Sequence, residues 1–116
     1  LRLDAFTLLT GKSEDREVRE ALVYALRYDR NPGVRLKALD GLKDYVKDDV
    51  HVRDAVLEAL LHDTNAGVRS EAISLLSPVK ADMSVREALQ VLAERDPSNY
   101  IRVESKRFLA TTSNLE

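Results

Sequence analysis

The chain has 116 residues, 33% of them charged and only 5% aromatic, with a net charge of −2 and neither Cys nor Trp. That length supports one domain with a continuous core. The missing Cys excludes disulfides and thiolate metal sites, no apolar run reaches the roughly 18 residues of a membrane helix, and the slight acidity argues against a basic nucleic-acid stripe.

In chain order, residues 1–10 read as the remnant of a helix, with Leu1, Ala5, Phe6 and Leu9 on one edge, closed by Gly11-Lys12-Ser13. Six full helices are then predicted, over about 15–28, 32–46, 49–62, 66–77, 83–95 and 99–111. Val18, Ala21, Leu22, Ala25 and Leu26 give the first its apolar stripe at i, i+3, i+4, i+7 and i+8. Val34, Ala38, Leu39 and Leu42 mark the second, and Val68, Ala72, Ile73 and Leu76 the fourth. Asp15, Asp49 and Asp82 are placed to cap the first helix of each pair, and Asn31, Asn65 and Ser98 the second; such side chains accept an orphan backbone N–H. Pro32 suits a first helical position, and Ser84 with Glu87 offers a competing capping box. Beyond 112 a frayed tail is expected, with Leu115-Glu116 resembling a cloning scar.

The helices repeat in pairs. Val18-Arg19, Val52-Arg53 and Val85-Arg86 are spaced by 34 and 33, as are Val34-Arg35, Val68-Arg69 and Ile101-Arg102. Leu1-Arg2 extends the second series backwards by 33. Small Ala5, Ala38, Ala72 and Ser105 share one equivalent position, where second helices can approach closely. A period in this range indicates stacked supersecondary units that bury one another's apolar faces. Caps every 12–16 residues leave no coiled-coil heptad intact.

These residues resemble HEAT repeats. The family places Asp in the turn between its two helices, an aliphatic residue five later and a basic one six later, as in Asp29/Val34/Arg35, Asp63/Val68/Arg69 and Asp96/Ile101/Arg102. The resemblance implies an all-α, armadillo-like α-α superhelix of right hand: three full repeats (about 15–46, 49–77 and 83–111) in one domain over 1–112, with the half-repeat at 1–10. It also implies that Asp29, Arg35, Asp63, Arg69, Asp96 and Arg102 form a structural ladder between repeats. The run Asp29-Arg30-Asn31-Pro32-Gly33-Val34-Arg35-Leu36-Lys37-Ala38-Leu39, followed by Val52-Arg53-Asp54-Ala55, also looks like HEAT regions at the C-terminal end of bacterial anti-sigma-type regulators. That likeness implies part of a larger regulatory protein; separately, a cytoplasmic location is expected for this stretch.

Catalytic chemistry finds no support in the residues. His51 and His62 are eleven apart on one predicted helix, about 16 Å between Cα atoms, too far to share a metal ion. The serines carry no G-x-S-x-G elbow, and Gly11-Lys12-Ser13 copies only the tail of a phosphate loop. No cofactor, metal or small-molecule substrate is expected. In HEAT stacks the second helices line the concave side, so the resemblance implies rows of outward positions there: Leu3/Leu36/Ser70/Val103, Asp4/Lys37/Glu71/Glu104 and Thr7/Asp40/Ser74/Arg107. These rows vary between repeats while the frame does not, as a protein-binding face would. Lys37 and Lys43 are answered by Asp40 and Asp44, which makes a nucleic-acid backbone the weaker partner; a purely structural spacer is the other reading. The edge at 1–10 is expected to be covered by upstream residues or a homodimer partner.

Overall fold

The structure is a computed structural model and describes residues 12–113. The expected half-repeat with Leu1, Arg2, Leu3, Asp4, Ala5, Phe6, Thr7 and Leu9 lies outside the described residues, as does 114–116. Six α-helices follow one another: α1 (Lys12–Tyr28), α2 (Pro32–Leu42), α3 (Val50–His62), α4 (Ala66–Leu75), α5 (Met83–Arg95) and α6 (Asn99–Ser113). Single 3₁₀ turns at Lys43–Tyr45 and Ser77–Val79 follow α2 and α4.

Helix starts follow local side-chain chemistry. Asn31 Oδ1 accepts from the Gly33 N–H at 2.8 Å, Asn65 Oδ1 from Val68 N–H at 3.1 Å and Ser98 Oγ from Ile101 N–H at 3.3 Å. Asp49 Oδ1 accepts from His51 and Val52, and Asp82 Oδ1 from Val85, so Asp82 rather than the Ser84/Glu87 pair starts α5. Each bond satisfies a donor that the helix leaves open.

Four boundaries differ from the sequence expectation. α1 is already helical at Lys12, so Asp15 stands inside the first turn and is not its cap, and Lys12-Ser13 belongs to the helix rather than the break. Its acidic side chain is still suited to the positive end of the helix dipole. α4 stops at Leu75, ahead of Pro78, which has no N–H to continue the α-helical ladder. α2 tightens into a 3₁₀ turn at Lys43–Tyr45 in the same place. At the other end, α6 runs on to Ser113.

The helices pack in consecutive pairs, α1 with α2, α3 with α4 and α5 with α6. The pairs then stack in two layers: α1, α3 and α5 in one, α2, α4 and α6 in the other. The result is a HEAT-like α-solenoid with one core running along the stack. Leu39, Leu42, Leu60, Ile73, Leu76, Leu89 and Ile101 form its middle, each at most 2% exposed. Gly41 on α2 allows the closest approach of its partner helix: a Cβ there would sit 2.9 Å from Leu22 Cδ1.

Ala38, Ala72 and Ser105 fill the same small site in successive repeats, all fully buried. Only Ser105 brings a hydroxyl, and its Oγ has no hydrogen-bond partner. A buried polar atom without a partner loses its hydration for nothing. Replacing it as Ser105→Ala restores the residue used by the other two repeats. The expected outcome is a stabilisation of about 1 kcal/mol, read as a higher urea midpoint at unchanged slope; a lower midpoint would show that the hydroxyl is used.

Candidate functional site: the turn ladder and the second-helix face

The turn before each second helix is built around one aspartate. Asp29, Asp63 and Asp96 each accept a hydrogen bond at Oδ1 from the backbone N–H two residues on, at 2.9 Å in all three. This is an Asx turn, a local substitute for a backbone turn. It also aims the carboxylate out of the turn.

Arginine six residues later does two things at once. Arg35 Nη1 donates to the carbonyl of Asp29 in its own turn, while Nε and Nη2 grip both oxygens of Asp63 in the next repeat at 2.8 and 2.9 Å. Arg69 repeats this with Asp63 O and with Asp96, at 2.8 and 3.0 Å. Arg102 Nη1 likewise donates to Asp96 O. The ladder therefore has a direction: each turn reaches forward to the carboxylate of the next. Both forks are largely dry, with side-chain exposures of 10% and 6% for Arg35–Asp63 and 9% and 3% for Arg69–Asp96. In such surroundings the planar fork of arginine matches a carboxylate in a way lysine cannot.

The first-series arginines serve the other turns. Arg19 Nε donates to Asp49 Oδ2 at 2.9 Å and its guanidinium lies 4.8 Å from the Tyr45 ring centre. Arg53 Nη1 donates to Val46 O and Lys47 O, seven and six residues back. The Val-Arg spacing marked these residues, but a basic residue six after the turn was read only for the Asp turns. The α1 tyrosines also escaped notice: Tyr24 and Tyr28 are exposed and their rings pack 4.8 Å apart at i, i+4.

The expected binding rows lie along α2, α4 and α6. Leu36, Lys37, Asp40, Glu71, Ser74, Val103 and Arg107 are exposed. Ser70 and Glu104 are half-buried, because Ser70 Oγ donates to Glu104 Oε1 at 2.9 Å and ties α4 to α6. Asp40 pairs loosely with Lys43 at 3.5 Å in the open. Between α4 and α6 runs a groove of about 350 Å³, lined by Ser74, Ser77, Lys80, Glu104, Arg107 and Phe108. Lys80 Nζ lies 5.5 Å above the Phe108 ring. His51 and His62 are both exposed. Among the described residues no three His, Asp or Glu gather as a metal site would require, and no helix is long and apolar enough to cross a membrane.

The HEAT repeats family model matches residues 19–110. No curated protein and no solved structure matches the chain. The family match covers most of the sequence, and the chain belongs to the HEAT-repeat family. HEAT repeats generally serve protein–protein interaction or scaffolding, and the fold is typically non-catalytic.

Removing one partner of a dry ion pair strands the other. Arg69→Ala should therefore cost about 3–5 kcal/mol, against about 1 kcal/mol for Arg102→Ala, which breaks hydrogen bonds but no carboxylate pair. Urea unfolding of both variants checks this; equal losses would mean that the fork contributes nothing beyond its turn.

Proposed function

We propose that this HEAT-repeat chain is a non-catalytic docking module that receives a partner protein on the α2/α4/α6 layer. One observation carries the reading. Successive repeats hold the same buried frame, yet their outward positions on this layer change chemistry: Leu36, Ser70, Val103; Lys37, Glu71, Glu104; Asp40, Ser74, Arg107. Folding constrains the frame and leaves those positions free, so their variation is available for recognition.

The layer offers mixed chemistry. Leu36 and Val103 supply apolar contact at 36% and 43% exposure, while Lys37, Glu71 and Arg107 supply charges of both signs that can set register with a partner. The interspersed acids suit a protein better than a nucleic-acid backbone, which favours a continuous basic stripe. The likeness of 29–39 and 52–55 to anti-sigma-type HEAT regions supports a partner within a larger bacterial regulatory assembly.

The test is a pull-down with Lys37→Glu, Glu71→Lys and Arg107→Glu combined. All three are exposed, so fold and stability should change by no more than about 0.5 kcal/mol per site. A partner held through this layer should be lost at least about tenfold, the effect of about 1.4 kcal/mol, while reversal at Glu87 and Arg95 on α5 leaves it bound. Retention of every captured protein by the triple variant would refute the layer as the docking face and leave the spacer reading.

A further inference from the structure

The two junctions between neighbouring second helices share a frame but not a chemistry. Counted 34 residues back on α4 and 33 back on α6, the groove-lining Ser74, Lys80, Arg107 and Phe108 stand where the α2/α4 junction has Asp40, Val46, Ser74 and Leu75. The 3₁₀ turns fix this correspondence: Val46 directly follows the first and Lys80 the second. Val46 and Leu75 are core residues at 0% and 6% exposure. Lys80 and Phe108 are half-buried in the groove wall instead, with the Lys80 Nζ 5.5 Å from the ring centre.

The charge changes with these residues. At the α2/α4 junction Asp40, Lys43 and Glu71 leave one net negative charge. In the α4/α6 groove Lys80, Arg107 and Glu104 leave one net positive charge, and Glu104 is tied across to Ser70 at 2.9 Å. Val46 shows that packing is served by valine at this place in the repeat, so the scaffold does not demand an ammonium there. The aromatic ring offsets part of the hydration that Lys80 gives up, which favours keeping the charge at the groove.

We propose that the α4/α6 groove receives a glutamate side chain of the partner protein, its carboxylate facing Lys80 and Arg107 and its methylenes lying against Phe108. This rests on the α2/α4/α6 layer being the docking face and names what that face selects. A single carboxylate cancels the one positive charge of the groove. A phosphoserine, at about −1.5 to −2, would overcharge it beside Glu104. The hydroxyls of Ser74 and Ser77 also line the groove and can donate to a carboxylate oxygen. The Phe108 ring offers the glutamate stem an apolar surface on which to leave water.

The experiment is an NMR titration of the full chain, following the backbone amides of Ser74, Ser77, Lys80 and Phe108. The probe is N-acetyl-alanyl-glutamyl-alaninamide, with its glutaminyl and phosphoseryl counterparts as parallel arms at matched ionic strength, because such contacts are screened by salt. The glutamyl peptide should saturate these shifts at a concentration at least about threefold lower than the glutaminyl one, the scale of an exposed ion pair. Lys80→Gln should remove that difference. Lys80→Val with Arg107→Ser installs the residues of the α2/α4 junction, so it should keep the fold, checked by its urea midpoint, and also lose the preference. The inference is overturned if the glutaminyl peptide binds as well as the glutamyl one, if the phosphoseryl peptide saturates the groove first, or if Lys80→Gln keeps the preference. Lys80 also separates this groove from the layer as a whole. A partner lost from the Lys37, Glu71 and Arg107 reversal yet fully retained by Lys80→Gln overturns the groove alone; one retained by both overturns the docking layer with it.

Discussion

The structure depends on a guanidinium held between two turns. Arg69 donates to the backbone of its own turn and to both carboxylate oxygens of the next, in a setting almost closed to water. Each nitrogen of the group donates, and such pairing is the condition under which burying a charge can be sustained. The consequence is geometric. Apolar surface alone would let one helix pair slide against the next, since hydrophobic contact has no direction. A bidentate fork between consecutive turns accepts one register. The same aspartate that shapes its own turn is the acceptor for the preceding repeat, so local folding and stacking are coupled through one carboxylate.

Much of this frame was legible in the sequence. The repeat of Val-Arg pairs, the cap residues and the spacing of Asp to Arg by six gave six helices and their pairing. Caps are short-range devices, so Asn31, Asn65, Asp49 and Asp82 could be read without knowing the fold. The failures have local causes too. Asp15 has the cap spacing of Asp49 and Asp82, but no helix-breaking residue lies between it and Lys12, and α1 begins earlier. The 3₁₀ ends of α2 and α4 hide within an apolar pattern that continues past the last α-helical turn.

The candidate face was legible as positions but not as contacts. Nothing local says that Ser70 on α4 meets Glu104 on α6, 34 residues away, and removes both from the freely exposed set. The direction of the ladder was likewise invisible, because the spacing of Asp29 to Arg35 is the same whether the arginine reaches its own carboxylate or the next. Only the stacked geometry shows that Arg35 takes Asp63 and leaves Asp29 to its own turn. The repetition that first draws the eye belongs to scaffold, and the outward positions of α2, α4 and α6 are where the repeats differ.

The most direct test of the central claim is a double-mutant cycle at Arg69 and Asp96, using Arg69→Ala, Asp96→Ala and the pair, read by urea unfolding. If the fork joins consecutive repeats, the two losses should overlap with a coupling of about 2 kcal/mol. Additive losses, with a coupling within about 0.5 kcal/mol of zero, would contradict it and show that the two residues serve their own turns independently.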